Sequence, residues 1–334
     1  MLNKKRAMKT FIKKHIVAAM SFLKIFNLLK RQQKKKIIIL MYHRFSKNDE
    51  QFKIKQEIFE NQIKFLKSNY NIISMSDLYE NIIKNNIPDN SLLITIDDGY
   101  NDNYNVAYPI LKKYSVPAII FLSTDFIDKK SWLWSNKLEY ILKQTQKENV
   151  SLNFGAGDID FCLATPCDVH HAQLSIFNYC RTLRENVKNK YLDDLSDILD
   201  VRVPEEVTVD YAPLSWSQIR EMSSHGIEFG CHSKTHPILA RIDEKDLHDE
   251  IVQSKKVIEE RIELPVQFFC YPNGQPEDVD SQLIDLVKKS GYCMAVSTVN
   301  GFDYYDNIEN LFFLKRISTS TDNIPQLQRT LTRF

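Results

Sequence analysis

Lys36 is followed by Ile37, Ile38, Ile39, Leu40, Met41 and Tyr42, an apolar run with no alternation. A strand with one wet face alternates apolar and polar residues. A run that is apolar throughout reads as a strand buried on both faces, the usual state of a parallel strand. Similar runs recur at Ser91–Asp98, Pro117–Thr124, Ile227–His232, Gln267–Pro272, Cys293–Thr298 and Leu311–Ser318, with a short strand at Asn71–Met75. Helical periodicity lies between them. Gln56–Tyr70 places Ile58, Ile63, Phe65 and Leu66 on its inner face, and Ser76 caps a helix reaching Asn86. Further helices read over Asn101–Ser115, Ser215–Gly226, Glu244–Glu263, Asp280–Gly291 and Asn323–Arg333. Seven or eight β/α units in 334 residues predict an α/β chain built as a parallel barrel or barrel-like sheet. The rhythm breaks at about 128–213. Helical patterns around Trp132–Lys147 and Leu183–Leu199, with no strong strand, predict a helical insertion or lid.

Two strings at strand ends carry chemistry. TIDDGY, Thr95–Tyr100, puts Asp97 and Asp98 where a strand turns, so both carboxylates can reach one pocket. HSKTH, His232–His236, puts two imidazoles four residues apart on a loop leaving another strand. Alone, a DDG triplet is usually a turn and an HxxxH often a surface feature. Together they offer N, N and O ligands suited to a divalent ion such as Zn2+, with positions left for water. The spare carboxylate is a candidate base for that water.

Charge is unevenly spread. Twelve of the 44 basic residues lie in the first 36 positions, which hold no acid, so the remainder carries 32 basic against 43 acidic side chains, a net −11. An acidic body argues against nucleic acid as a partner. The basic head, residues 1–36, is expected to be an amphipathic segment associated peripherally with an anionic membrane through Ile12, Ile16, Ala19, Leu23 and Phe26. A disordered tail is the competing reading. A signal peptide fits less well, because Lys24 interrupts the apolar run and no small-residue cleavage site follows. The expected location is the cytoplasm or the cytoplasmic membrane face, with export as the rival. Six cysteines without a CxxC pair fit a reducing compartment. Cys231, Cys270 and Cys293 sit in buried-strand patterns, and Cys162-x4-Cys167 matches no common zinc spacing.

These residues, in this order, resemble the polysaccharide deacetylases of the NodB-homology group, carbohydrate esterase family 4. TIDDGY is similar to the group's TFDDG, HSKTH to its H-[ST]-x-x-H, and FFCYPNG at Phe268–Gly274 to its third motif. MYHRF, YPILKKYSVPAIIFLST, LSWSQIREMSSHGIEFG and LFFLKRIS extend the likeness over about residues 37–334. The resemblance implies a distorted (β/α) barrel, usually of seven strands, and metal-dependent hydrolysis of an N-acetyl group on the aminosugar of a polysaccharide or glycolipid. It implies Asp97 as general base and Asp98, His232 and His236 as metal ligands. The metal and a backbone N–H near Asn273 would stabilise the oxyanion, with Tyr271 of the same motif at the substrate.

Two positions depart from the family pattern. The third motif commonly carries an Arg that orients the base; Cys270 stands there, and Arg316 on the last strand is the candidate replacement. No LxxH occurs near the C-terminus, which leaves His43, at the end of the first strand, as the unassigned imidazole for the general acid. Within the insertion, Trp132 and Trp134 are expected either to stack on sugar rings or to be core. The alternatives to an N-deacetylase of an N-acetylated glycan or lipid-linked sugar are an O-acetyl esterase on the same fold and a catalytically silent sugar-binding protein.

Overall fold

The structure is a computed structural model that describes residues 36–155, 157–306, 308, 310–319 and 323–332. The basic head expected to meet a membrane lies outside the described residues, except for Lys36. No helix among the described residues is long and apolar enough to cross a membrane.

Seven parallel strands close a barrel. They are β1 (Lys36–Tyr42), β2 (Ser91–Ile96), β3 (Ala118–Leu122), β4 (Ile227–Cys231), β5 (Phe268–Cys270), β6 (Met294–Asn300) and β7 (Leu314–Ser318). Neighbours run β1-β7-β6-β5-β4-β3-β2, and β1 closes the ring on β2, from Ile38 opposite Leu92 to Tyr42 opposite Ile96. The barrel is therefore the seven-stranded form. Asp303–Tyr304 adds a short antiparallel pairing to β1, and Asn71–Ile72 a parallel one to β2.

Period-two alternation sorts the strand residues into two cores. Ile37, Ile39, Leu93, Ile119, Phe121, Phe268, Cys270, Met294, Val296 and Leu314 form the inner cluster. Ile38, Leu40, Leu92, Ile94, Ile120, Phe229 and Ala295 pack outward against the surrounding helices. Where both faces are buried, as along β1 to β3, the strands read as continuous apolar runs; β7 interrupts its run with Lys315 and Arg316. Gly230 on β4 makes room for Phe121: a Cβ there would lie 2.5 Å from the ring. The N-terminal end of the barrel is plugged by the helix Met75–Ile83, whose Met75 and Leu78 join the inner cluster. Glu228 of β4 accepts from the Met75 and Ser76 amides at 2.8 and 3.2 Å, satisfying two orphan donors of that helix.

Several local expectations are corrected. That helix is capped by Ser74, not Ser76, because Ser74 and Asp77 form a reciprocal capping box. Met75 belongs to it rather than to a strand. The helix Gln56–Asn69 buries Phe59, Gln62, Ile63 and Leu66; Ile58 and Phe65 are only half-buried. Cys293 precedes β6 and is half-buried, while Cys162 and Cys167 are exposed and join no cluster of potential metal ligands among the described residues.

The insertion between β3 and β4 has its own core, from Trp134 to Val201. Its helices are Trp134–Gln144, Pro166–Cys180 and Glu185–Ile198. It also holds an antiparallel hairpin, Asn149–Asn153 with Asp158–Cys162, so it is not purely helical.

Candidate active site

Asp97 and Asp98 follow β2 directly, at the C-terminal mouth of the barrel where such folds place their chemistry. Asp98 turns the chain with φ +76°, and Gly99 continues at φ +85°. A Cβ on Gly99 would press on Leu122 and Ile127 at 2.8 and 2.9 Å, which explains the glycine of the triplet. His232 follows β4, its amide bonded to the Leu122 carbonyl at 2.9 Å. Ser233 and His236 both have positive φ, and the Ser233 hydroxyl accepts from the His236 amide at 3.0 Å, folding the loop back so that both rings meet. The ring centroids lie 4.8 Å apart.

Asp98 Oδ1 is 3.4 Å from Nε2 of both His232 and His236. One ligand atom from each of the three residues falls within 4.8 Å of the other two, and all three residues are buried. Asp98 Oδ1 is buried with no hydrogen-bond donor of its own. His232 Nδ1 lies 2.7 Å from the Cys270 carbonyl, which makes Nδ1 the protonated nitrogen and leaves the Nε2 lone pair free. Burial opposes charge on His232, yet Cys270, Asp98 and Asp97 push its pKa up: the pocket favours a positive charge there. Burial drives His236 down to about 3 against the pull of Asp98, so this imidazole is neutral. Burial alone would raise Asp98, but His232 beside it outweighs burial and holds the carboxyl well below its usual range. An N, N, O donor set, an orphaned carboxylate oxygen and a preference for a cation fit a divalent ion.

Asp97 is held differently. Arg316 of β7 grips both its oxygens, Nη1 to Oδ1 at 2.8 Å and Nη2 to Oδ2 at 2.7 Å. Arg316 also donates to the Ser297 carbonyl at 2.6 Å and the Thr95 hydroxyl at 2.9 Å, and its Nη2 is 3.1 Å from Cys270 Sγ. Burial would raise the Asp97 pKa, but the guanidinium outweighs it and keeps the carboxylate ionised. Asp97, His232 and Cys270 also lie close enough to share an ion. The guanidinium already bonded to Asp97 and beside Cys270 makes that a poor cation site.

A cleft of about 470 Å³ opens over these groups. His43, Asp97, Asp98, His232, His236 and Asn273 all line it. His43 is 43% exposed, with Nε2 3.6 Å from Asp97 Oδ2. Asn273 sits in a positive-φ turn with Gly274, where a Cβ would meet the Tyr271 carbonyl at 2.8 Å. Arg316 is fully buried behind Asp97 and does not line the cleft, so it positions the carboxylate. Tyr271, expected at the substrate, is fully buried beneath the cleft. Alternation along the chain is the cause: Cys270 points into the barrel, so Tyr271 packs outward among the helices, and its amide is bonded to the Val296 carbonyl at 3.2 Å. Trp134, expected to touch sugar, is 5% exposed. Phe177 stacks on its ring at 4.7 Å and the Lys188 ammonium lies over it, also at 4.7 Å. It borders a separate, larger cleft of about 990 Å³ that none of the groups at Asp97 and Asp98 lines.

Two supporting residues went unnoticed in the sequence. Helix segments with π geometry, Asn103–Ala107 and Asp249–Gln253, each supply one. Asn103 is fully buried and donates to the His43 carbonyl at 2.9 Å. Glu250 accepts from the Lys234 and Thr235 amides, both at 2.9 Å, and from the Thr235 hydroxyl at 2.7 Å, which fixes the loop between the two histidines. Glu250→Gln is expected to loosen that loop and weaken metal affinity by about tenfold, the lower end for a residue that supports ligands. Titration against a competing chelator checks this. Unchanged affinity would mean the loop holds its shape without the carboxylate.

A carboxylate fixed by arginine, beside an Asp-His-His cluster at the mouth of a parallel barrel, is the equipment of a hydrolase. The chain belongs to the polysaccharide deacetylase family, whose model matches residues 84–295, and it is a hydrolase of that family's type, acting on the carbon–nitrogen bond of acetamido groups. The Bacillus subtilis (strain 168) protein YxkH, named for the same family, is 23% identical over 294 residues, covering 87% of this chain and 74% of that protein. A poly-beta-1,6-N-acetyl-D-glucosamine N-deacetylase of Staphylococcus aureus (strain N315) is 34% identical over 104 residues, only 31% of this chain and 35% of that enzyme. Among solved structures, Streptococcus pyogenes deacetylase PplD in complex with acetate has a TM-score of 0.60 at 20% identity, covering 89% of this chain and 99% of that one. IcaB from Ammonifex degensii gives 0.55 at 15% identity, over 90% and 99%. At those identities the likeness shows the barrel fold.

Proposed function

We propose that this chain removes N-acetyl groups from an aminosugar of a polysaccharide or glycolipid, using one divalent ion, zinc by its donor set, held by Asp98, His232 and His236. The observation that carries the reading is that Asp97, gripped from behind by buried Arg316, lines the same cleft as the Asp98–His232–His236 cluster. When bound, the ion would act as a Lewis acid on the acetyl carbonyl and on the attacking water. Asp97, kept ionised and rigid by Arg316, takes a proton as the water oxygen bonds to the acetyl carbon. His43, beside Asp97 and open to the cleft, delivers a proton to the nitrogen as the carbon–nitrogen bond breaks. The products are acetate and a free amine. The oxyanion that develops would be met by a donor at Asn273, a reading supported by its buried Nδ2, which has no partner in the protein.

The test is acetate release from a panel of N-acetylated glycans by the metal-loaded protein, repeated after chelation. Release that chelation abolishes and zinc restores is the expected result. Release from O-acetylated glycans alone would redirect the reading to an esterase, and no release from any glycan would overturn it.

We also propose that the basic head holds the enzyme near anionic lipid and a lipid-linked or nascent glycan. Each Lys or Arg near such a surface contributes about 1 kcal/mol of attraction. The full chain is expected to cosediment with vesicles containing anionic lipid, and a chain starting at Lys36 to stay in solution. Equal partitioning of the two would remove the head from the account.

A further inference from the structure

Besides His236 Nδ1 in the candidate metal cluster, three buried donors on the wall of the catalytic cleft have no partner in the protein: Asn136 Nδ2, Arg181 Nε and Asn273 Nδ2. An unpaired buried donor is destabilising, so its retention calls for a partner that arrives from outside. Asn273 belongs to the motif already placed at the reaction centre. Asn136 and Arg181 come from the insertion, outside every motif.

Asn136 is 4% exposed and lies in the first turn of the helix Trp134–Gln144. The buried Tyr100 hydroxyl donates to its Oδ1 at 3.0 Å, which fixes the amide and leaves Nδ2 unused. Tyr100 is itself clamped, with the Arg44 guanidinium 4.5 Å from its ring centroid and Phe126 edge-on at 5.3 Å. Arg181 follows the helix Pro166–Cys180. Its Nη2 bonds Asp278 at 2.7 Å and Glu277 at 3.1 Å, which anchors the side chain while Nε stays free. Trp134 and Phe177, stacked between these two helices, lock the donors relative to each other.

We propose that the insertion wall is a saccharide subsite, in which Asn136 Nδ2 and Arg181 Nε donate to hydroxyl or carbonyl oxygens of a sugar in the cleft. This rests on the deacetylase reading. The free groups are donors, so the ligand must bring acceptors, as a neutral, oxygen-rich sugar does. Tyr100 acts through Asn136 and is a positioning residue.

The test compares wild type, Asn136→Ala and Tyr100→Phe on monomeric and oligomeric N-acetylglucosamine and on a small aryl acetate that cannot reach the wall. For the oligomer, Asn136→Ala is expected to raise KM about tenfold with kcat nearly unchanged, the signature of a lost binding contact. Tyr100→Phe should raise KM less, because the amide remains but is no longer held. Aryl acetate hydrolysis should stay close to wild type in both, while the melting temperature falls modestly and alike, since each variant leaves one buried member of the Tyr100–Asn136 pair without its partner. Unchanged KM for the oligomer in both variants, with wild type active on it, would overturn the subsite and leave the deacetylase reading standing. Equal losses on oligomer and aryl acetate would make Asn136 a structural group and also overturn it. A wild type that cleaves aryl acetate but no sugar would fail the deacetylase reading itself, and the subsite with it.

Discussion

Asp97→Asn is expected to lower turnover by about two to four orders of magnitude, the range set by losing a general base. The same change should also weaken the fold. Arg316 is fully buried, and its charge is balanced by Asp97. Removing one partner of a buried pair costs about 3–5 kcal/mol, because the other charge stays buried uncompensated. Activity and stability can be separated with Asp97→Asn combined with Arg316→Met. The double variant should recover much of the melting temperature and none of the turnover, a non-additive cycle that residues in direct contact are expected to show. Near-normal turnover in Asp97→Asn, read by acetate release under saturating substrate, would show that Asp97 moves no proton.

His232→Ala is expected to lose bound metal and activity together, with turnover falling to the level of the chelated wild type. The imidazole is one of the three proposed ligands, and its Nδ1–H satisfies the Cys270 carbonyl, so the substitution also leaves a buried acceptor unpaired. Metal content by elemental analysis, set beside acetate release from the same preparation, checks both. Full occupancy in the variant would take His232 out of the ligand set. Adding zinc to wild type should raise its melting temperature, and adding it to the variant should not, since only a ligand bound by the native state stabilises it.

The barrel was legible because most of its strands are wet on neither face and read as apolar runs; β7, LKRIS, shows itself mainly through the apolar residues that precede it. Asp97, Asp98, His232 and His236 were legible because each pair is local in sequence and ends such a run. The hairpin of the insertion was not: its strands, NVSLN and DIDFC, are mostly exposed, and only Val150, Leu152 and Phe161 mark the buried face. The helix Pro166–Cys180 did carry a signal, since Thr165 caps it through the Asp168 amide with Pro166 at the first position, but its apolar stripe is weak. Tyr271 was misplaced because a motif names neighbours without saying which of two adjacent strand residues faces inward. Arg316 could be picked out only by elimination. Nothing local ties it to a carboxylate 219 positions earlier, and closure of the barrel brings the two together. Asn103 and Glu250 sit in helical stretches where a buried polar side chain looks like any surface one.

That long-range pair has a bearing on when the enzyme becomes active. Asp97 ends the second strand and Arg316 lies on the seventh, which slots between the first and sixth strands and so completes the ring. During synthesis the carboxylate emerges far ahead of its arginine. Until the C-terminal strand docks, Asp97 has no guanidinium to hold it, and burial alone would favour its neutral form. Contacts of such sequence separation form late, because loop-closure entropy must be met first. On the proposed role of Asp97, the carboxylate is therefore armed only when the ring closes, and recovery of hydrolysis during refolding is expected to follow ring closure.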